Sequence, residues 1–211
     1  MNRGRFITFE GGEGAGKSTQ ALLLAVALRA RGLEVLLTRE PGGTPGAEAI
    51  RTLLLHPPTD GWNPAAEALL FAAARSDHVE RAIRPALEAG RWVICDRFLD
   101  SSRAYQGGAG GIGDDGVRAL HAIGSGGLMP DLTLLLQLDA QIADTRASAR
   151  DGGVSDAIAS RAASYHADVA AAFHRMVDEE PARFARIDGQ GPQQAVHQRI
   201  LRAVEPLMGA R

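Results

Sequence analysis

The sequence predicts an α/β fold in which a parallel sheet is covered by helices on both faces. Short apolar segments that favour strand alternate with helical segments along the chain, which is the pattern of a parallel sheet. A strand, a glycine-rich loop and a helix open the chain in that order, within residues 5–31. At 211 residues the chain can bury one substantial core, and no repeat or linker divides it, so we expect one domain, 1–211.

Five segments predict strands because each is short, apolar and bounded by glycine, proline or charged residues. They are residues 5–9, 34–38, 92–95, 132–138 and 184–187. The second strand ends in the loop 39–44, rich in proline and glycine, which should lie at the carboxyl edge of the sheet, where open α/β sheets bind ligands. Asp96 directly follows the third strand, where we expect it to face a bound Mg²⁺; a helix N-cap is the alternative.

The predicted helices are bounded by residues that commonly begin or end helices. The first ends at Gly32, the second lies between Pro45 and the Pro57-Pro58 pair, and the third begins at Asn63-Pro64. The helical segments are 20–31, 46–55, 63–75, 77–89, 114–123, 141–150, 155–179 and 192–208, with a short helical or turn segment at 100–105. Residues 106–113 are too rich in glycine for regular structure, and we expect them to be irregular and mobile.

The loop between the first strand and helix, Gly11–Ser18, has the pattern G-x-x-x-x-G-K-S that binds phosphate. Its glycines let backbone N–H groups turn toward phosphate oxygens, and the following helix directs its positive end at the same anion. Lys17 supplies a charge for the β- and γ-phosphates, and the Ser18 hydroxyl is placed to ligate Mg²⁺. A tight turn without a ligand would not require both the last glycine and the Lys-Ser pair. The predicted ATP-binding residues are Gly11, Gly12, Glu13, Gly14, Ala15, Gly16, Lys17, Ser18 and Thr19.

Composition narrows the class of protein. The chain is 45% hydrophobic and 23% charged with a net charge of -2, which gives no bulk electrostatic reason to expect nucleic acid or an anionic membrane as a partner. A single cysteine, Cys95, allows no internal disulfide and suits a reducing compartment. We find no signal peptide, and no apolar run approaches the roughly 20 residues that span a bilayer. We therefore expect a cytoplasmic protein.

Five motifs in order along nearly the whole chain resemble those of the thymidylate kinase family, of the bacterial type. They are the phosphate loop, Arg39–Thr44, Phe71 with Arg75, Asp96–Phe98 and Ala104–Gly107. The resemblance implies a five-stranded parallel sheet of the nucleoside monophosphate kinase fold, with a mobile lid at about residues 146–160. It also implies phosphoryl transfer from ATP to dTMP with Mg²⁺, giving ADP and dTDP, and commonly a homodimer.

The resemblance assigns roles to individual positions. The implied catalytic residues are Lys17, Arg97, Arg146 and Arg150, and the implied metal residues are Ser18 and Asp96. The implied substrate-binding residues are Glu13, Arg39, Phe71, Arg75, Arg97, Ser102, Tyr105 and Gln106. Arg39 and Arg97 clamp the acceptor phosphate in this interpretation, and Phe71 stacks on thymine. The alternative for Glu13 is a solvated loop residue, and for Phe71, without the motif around it, a core residue.

The lid is the part of the chain that departs from the family. Its usual Asp-Arg-Ile-Glu segment is here Asp156–Ala159, which has lost the arginine and the glutamate, and Gly110 stands where an arginine is usual. Either Arg146 and Arg150 suffice, or Arg161 substitutes for the missing charge, or the enzyme is slow. Two other functions therefore stay open: a kinase for another nucleoside monophosphate, and a nucleotide-binding regulator with weakened catalysis.

Overall fold

A five-stranded sheet lies at the centre of the computed structural model, which describes residues 3–139, 142 and 161–209. Its strands are β1 (Phe6–Glu10), β2 (Val35–Arg39), β3 (Trp92–Asp96), β4 (Leu132–Gln137) and β5 (Phe184–Asp188). The order across the sheet is β2-β3-β1-β4-β5, and every pair of neighbours is parallel. Parallel pairing sends every strand's carboxyl end to one edge, which confirms the predicted parallel α/β sheet.

Helices follow the strands on both faces of the sheet. They are α1 (Lys17–Ala30), α2 (Pro45–Leu55), α3 (Pro64–His78), α4 (Arg84–Glu88), α5 (Leu99–Ser102), α6 (Asp114–Ser125), α7 (Ala163–Glu179) and α8 (Gln193–Gly209). Two π-helical stretches, Val79–Ile83 and Arg103–Ala109, continue α3 and α5. Thr44 and Asn63 cap α2 and α3 with their side chains, each followed by proline, as the sequence predicts for α3.

The strands are apolar because helices cover both faces. All five residues of β1 are buried, with alternate side chains in different clusters. Ile7 and Phe9 pack with α1 and α8, whereas Phe6 packs with the helices of the other face. The helices on the two faces therefore fix the carboxyl ends of β1 and β3. The phosphate loop follows β1, and Arg97 follows β3. None of the helices within the described residues is long and apolar enough to cross a membrane.

The structure corrects three expectations about secondary structure. Residues 106–109, the first part of the segment expected to be irregular, continue the helical backbone from residue 103, because Tyr105 and its neighbours pack against α7. Helical backbone runs from Pro64 to Glu88 without the predicted break near residue 76. The long helix begins at Ala163 instead of 155, because Ala162 has an extended backbone. The predicted lid 146–160 lies outside the described residues, as does the predicted helix 141–150 apart from residue 142.

Candidate active site

One large cavity opens at the carboxyl edge of the sheet, with a volume of about 760 Å³. In register, Arg39 of β2 and Phe9 of β1 both stand beside Asp96 of β3, so the loops that follow these three strands meet there. Most of the predicted site residues within the described part of the chain line this cavity: Glu13, Gly14, Ala15, Gly16, Lys17, Ser18, Thr19, Arg39, Phe71, Arg75, Asp96, Arg97, Ser102, Tyr105 and Gln106. Gly11 and Gly12 are in the loop but not in the cavity lining, and Arg146 and Arg150 lie outside the described residues.

The phosphate loop adopts a conformation that requires glycine. Gly11 has φ 134°, and a Cβ there would lie 2.4 Å from the carbonyl oxygen of Leu136. Gly16, with φ 87°, turns the chain into α1, whose N-terminus therefore faces the cavity. The Lys17 Nζ donates a hydrogen bond to the Gly12 carbonyl oxygen at 2.7 Å. Burial, with Arg97 nearby, lowers the pKa of Lys17 from 10.5 to about 8.

Ser18 and Asp96 meet at the base of the loop in a geometry that suits a cation. The Ser18 hydroxyl donates to the Oδ2 atom of Asp96. The other carboxylate oxygen, Oδ1, is buried and has no hydrogen-bond partner among the described residues. An unpartnered carboxylate oxygen beside a hydroxyl is a suitable donor set for Mg²⁺, which commonly binds one or two carboxylates together with substrate phosphates and water.

Arg97 lines the cavity and contacts several other lining residues. It adopts φ 67°, the only positive φ of a non-glycine residue in the described part of the chain. Its guanidinium donates to the Gly11 carbonyl oxygen at 3.2 Å, to the Ser101 hydroxyl at 3.0 Å and to the Glu13 carboxylate. It also lies 5.1 Å from the centre of the Tyr105 ring. Strained backbone that neighbouring contacts hold in place is typical of functional sites.

Glu10 is a buried carboxyl beneath Arg97 that the sequence interpretation did not include. Its Oε1 accepts the backbone N–H of Phe98 at 2.8 Å, and its Oε2 accepts the Ser101 hydroxyl at 2.5 Å. Burial, reinforced by the charge of Asp100, raises the pKa of Glu10 from 4.5 to about 7. Glu10 therefore fixes the turn that carries Arg97.

Phe71 and Arg75 of α3, together with Ser102, form a part of the cavity lining that we call the slot. Arg75 is 3% exposed; its Nε donates to Glu40 at 2.8 Å and its Nη2 to the Ser102 hydroxyl at 2.8 Å. The same Glu40 carboxylate contacts the Nδ1 atom of His78 at 3.0 Å. Phe71, one turn before Arg75 on α3, lies half-buried in the cavity wall. The slot thus combines an aromatic face with an arginine whose orientation is fixed.

Two further parts of the cavity lining need comment. One is Arg39, which was predicted but forms an ion pair, and the other is a loop that was not predicted. Arg39 is about half exposed and pairs with Glu48 at 2.9 Å while facing the cavity. Gly189, Gly191 and Gln193 also line the cavity, and the Gln193 carbonyl accepts a hydrogen bond from Gln20 of α1 at 2.9 Å. The sequence interpretation missed this second loop, although a glycine-rich turn after a predicted strand is a usable signal for the ligand edge of an α/β sheet.

The comparisons with known proteins agree with this geometry. The family model described as thymidylate kinase matches residues 9–200. A thymidylate kinase of Rhizorhabdus wittichii is 59% identical over 207 residues, covering 97% of this chain and 99% of that protein. One from Bradyrhizobium sp. BTAi1 is 47% identical over 211 residues, covering 96% of this chain and 93% of that protein.

A solved structure gives the same result for the fold. The crystal structure of thymidylate kinase from Ehrlichia chaffeensis matches with a TM-score of 0.77 and 31% sequence identity, covering 96% of this chain and 99% of that chain. The match in fold, the match in sequence over nearly the whole length and the five motifs around one cavity all agree. The chain belongs to the thymidylate kinase family.

Proposed function

We propose that the chain transfers the γ-phosphoryl group of ATP to the 5′-phosphate of dTMP, giving ADP and dTDP in the supply of dTTP. The observation that carries this proposal is the single cavity that joins a phosphate loop to a slot lined by Phe71 and Arg75. A donor and an acceptor bound in one cavity can be aligned for direct transfer, and alignment with charge neutralisation is most of what phosphoryl transfer requires.

The donor side consists of the loop and the start of α1. Loop amides and the positive end of α1 hold the ATP phosphates, and Lys17 neutralises charge on the moving group. To do so, Lys17 exchanges its hydrogen bond to the Gly12 carbonyl for phosphate oxygens. Ser18 and Asp96 would hold Mg²⁺, which when bound neutralises phosphate charge. Loop 189–193 lines the cavity beside the donor phosphates and borders the rest of ATP.

The acceptor phosphate lies between the two ends of the cavity. Arg97, held by Glu13 and by the turn over Glu10, presents its guanidinium there, and Arg39 faces the same space. A guanidinium suits phosphate oxygens because it donates two parallel hydrogen bonds. The phosphate of dTMP is already ionised near neutral pH and is itself the nucleophile, so no strong general base is needed.

The nucleoside occupies the slot. Phe71 stacks on thymine, and Arg75 and Ser102, already hydrogen-bonded to each other, face the base edge. Tyr105, whose ring packs on Arg97, lies under the deoxyribose. A ring in that position leaves no room for a 2′-hydroxyl, which accounts for a preference for deoxynucleotides. Gln106 completes this side of the cavity.

The remaining parts of the proposal concern the chain as a whole. We place Arg146 and Arg150 on a lid of about residues 146–160, where they add positive charge at the transferring phosphoryl group and exclude water when ATP and dTMP are bound. We further propose a single-domain enzyme, 1–211, that acts in the cytoplasm as a homodimer. Sedimentation of the purified protein tests the dimer directly.

An acceptor panel tests the proposed reaction. A coupled assay of ADP release with ATP and Mg²⁺ is run with dTMP, dUMP, dGMP, dCMP and UMP in turn. We expect preferential turnover of dTMP. Preferential turnover of another acceptor contradicts the substrate assignment, and binding of dTMP without turnover of any acceptor contradicts the enzymatic proposal.

A further inference from the structure

Helix α3 faces α5 and the segment that follows it, and two polar contacts join them. Glu67, Phe71 and Arg75 follow at intervals of four residues and so share one face of α3. Ser102 and Gln106 are likewise four residues apart. Arg75 donates to the Ser102 hydroxyl at 2.8 Å, and the Nε2 atom of Gln106 donates to the Oε1 atom of Glu67 at 2.9 Å. Phe71 lies between these two contacts along α3.

Glu67 determines which end of the Gln106 amide faces the cavity. An ionised carboxylate can only accept hydrogen bonds, so the amide nitrogen must face Glu67 and the carbonyl oxygen must point away from it. Gln106 is 3% exposed and lines the cavity. Its side-chain carbonyl oxygen has no donor among residues 3–139, 142 and 161–209. The slot therefore presents a fixed acceptor at this position.

Arg161 holds the Glu67 carboxylate from its other side. Its guanidinium donates to the Oε2 atom of Glu67, the oxygen that Gln106 does not use, and lies 4.6 Å from the centre of the Tyr165 ring. The Tyr165 hydroxyl donates in turn to the backbone carbonyl of Tyr105 at 2.8 Å. Gln106 and Arg161 thus donate to the two oxygens of one carboxylate. Without the arginine this carboxylate would lose the contact that holds it in place, which would let the Gln106 amide rotate.

We propose that Glu67 and Arg161 are positioning residues that direct the carbonyl oxygen of Gln106 toward a hydrogen-bond donor of the bound nucleoside. That donor is the imide N–H of the base or a hydroxyl of the sugar. The inference rests on the proposed function for the identity of the nucleotide. It places Arg161 on the acceptor side of the cavity, where it acts on nucleoside binding and not on the transferring phosphoryl group.

The first test separates nucleoside binding from catalysis. Arg161→Met should raise the KM for dTMP about three- to tenfold, because one hydrogen bond of about 0.5–1.5 kcal/mol is lost, and should leave kcat and the KM for ATP unchanged. Arg161→Lys should restore most of the loss. A lower kcat with an unchanged KM for dTMP would overturn the proposal and assign Arg161 to phosphoryl transfer, and an unaltered Arg161→Met enzyme would also overturn it.

Glu67→Gln tests the carboxylate itself. A side-chain amide can both donate and accept, so it no longer fixes which end of the Gln106 amide faces the cavity. Glu67→Gln should therefore also raise the KM for dTMP and leave kcat unchanged. A Glu67→Gln enzyme with an unaltered KM for dTMP contradicts the proposed mechanism.

Matched controls and analogues complete the experiment. Arg186→Met removes an exposed arginine that pairs with Asp178 outside the cavity. This variant should change neither the KM for dTMP nor kcat. Calorimetry gives the Kd of wild type and of Arg161→Met for dTMP without any turnover. If wild type binds dTMP but does not phosphorylate it, the proposed function is contradicted, while the role of Glu67 and Arg161 in binding can still be tested. N3-methyl-dTMP lacks the imide donor and 3′-deoxy-dTMP lacks the sugar hydroxyl. The analogue that lacks the relevant donor should bind wild type and Arg161→Met with equal Kd values. If the ratio of the two Kd values is the same for both analogues as for dTMP, the role of Gln106 is overturned.

Discussion

Lys17 should take up a proton when nucleotide binds. Its pKa of about 8 in the empty site follows from burial and from the charge of Arg97, so about half of the molecules carry a neutral Lys17 near about pH 8. Polyphosphate favours the charged form, and the phosphates of ATP are already ionised there. Binding should therefore take up about half a proton per nucleotide at about pH 8, and affinity should fall by up to about tenfold for each pH unit above it.

Calorimetry measures this uptake directly. A non-hydrolysable ATP analogue with Mg²⁺ is titrated at one pH in Tris and in HEPES, whose ionisation heats differ, and the difference in observed heat gives the protons bound. Lys17→Met is the control, because it keeps the length of the side chain and has no group to titrate; it should show equal heats. Equal heats for the wild type, or net proton release, would refute the linkage between Lys17 and the phosphates.

Three other side chains give predictions of different kinds. Asp96→Asn should raise the Mg²⁺ concentration for half-maximal rate about 10- to 100-fold; a superimposable Mg²⁺ titration would contradict the metal site. Arg75→Met leaves the buried Glu40 without its arginine, so denaturant melts should show a loss of about 3–5 kcal/mol, and an unchanged midpoint would argue against the pair. The raised pKa of Glu10 contributes stability that is complete below about pH 4.5 and is lost as the pH rises through about 7, up to about 3 kcal/mol. Glu10→Gln should remove that slope between about pH 5 and 7 in parallel melts; an identical slope would exclude Glu10 as its source.

Patterns within short stretches of sequence predicted those parts of the fold that depend on residues close together in the chain. The phosphate loop, the five strands and the capped start of α3 at Asn63 each depend on neighbours in sequence, and the structure confirms the strands and that cap. Residues 106–109 were wrongly predicted to be irregular because glycine content was weighed without the packing of α7 against Tyr105. A buried contact between segments some 60 residues apart leaves no periodic signal in either one.

The polar framework of the site was not accessible to the same reasoning. Glu10, Glu40 and Glu67 each fix a ligand-facing side chain, yet their partners are distant in sequence: Gln106 is 39 residues from Glu67, and Phe98 is 88 from Glu10. A carboxylate beside an apolar run is equally consistent with a solvated surface position. The family resemblance named the residues that face the cavity, and their roles stay predictions; the carboxylates behind them became visible only in three dimensions.

Product analysis tests the central claim most directly. Purified protein is incubated with ATP, Mg²⁺ and dTMP, and nucleotides and inorganic phosphate are separated and quantified over time. Phosphoryl transfer within one cavity predicts dTDP and ADP formed in equal amounts with little free phosphate. ADP formed together with inorganic phosphate and no dTDP, or no ADP at all while dTMP is bound, would contradict the account.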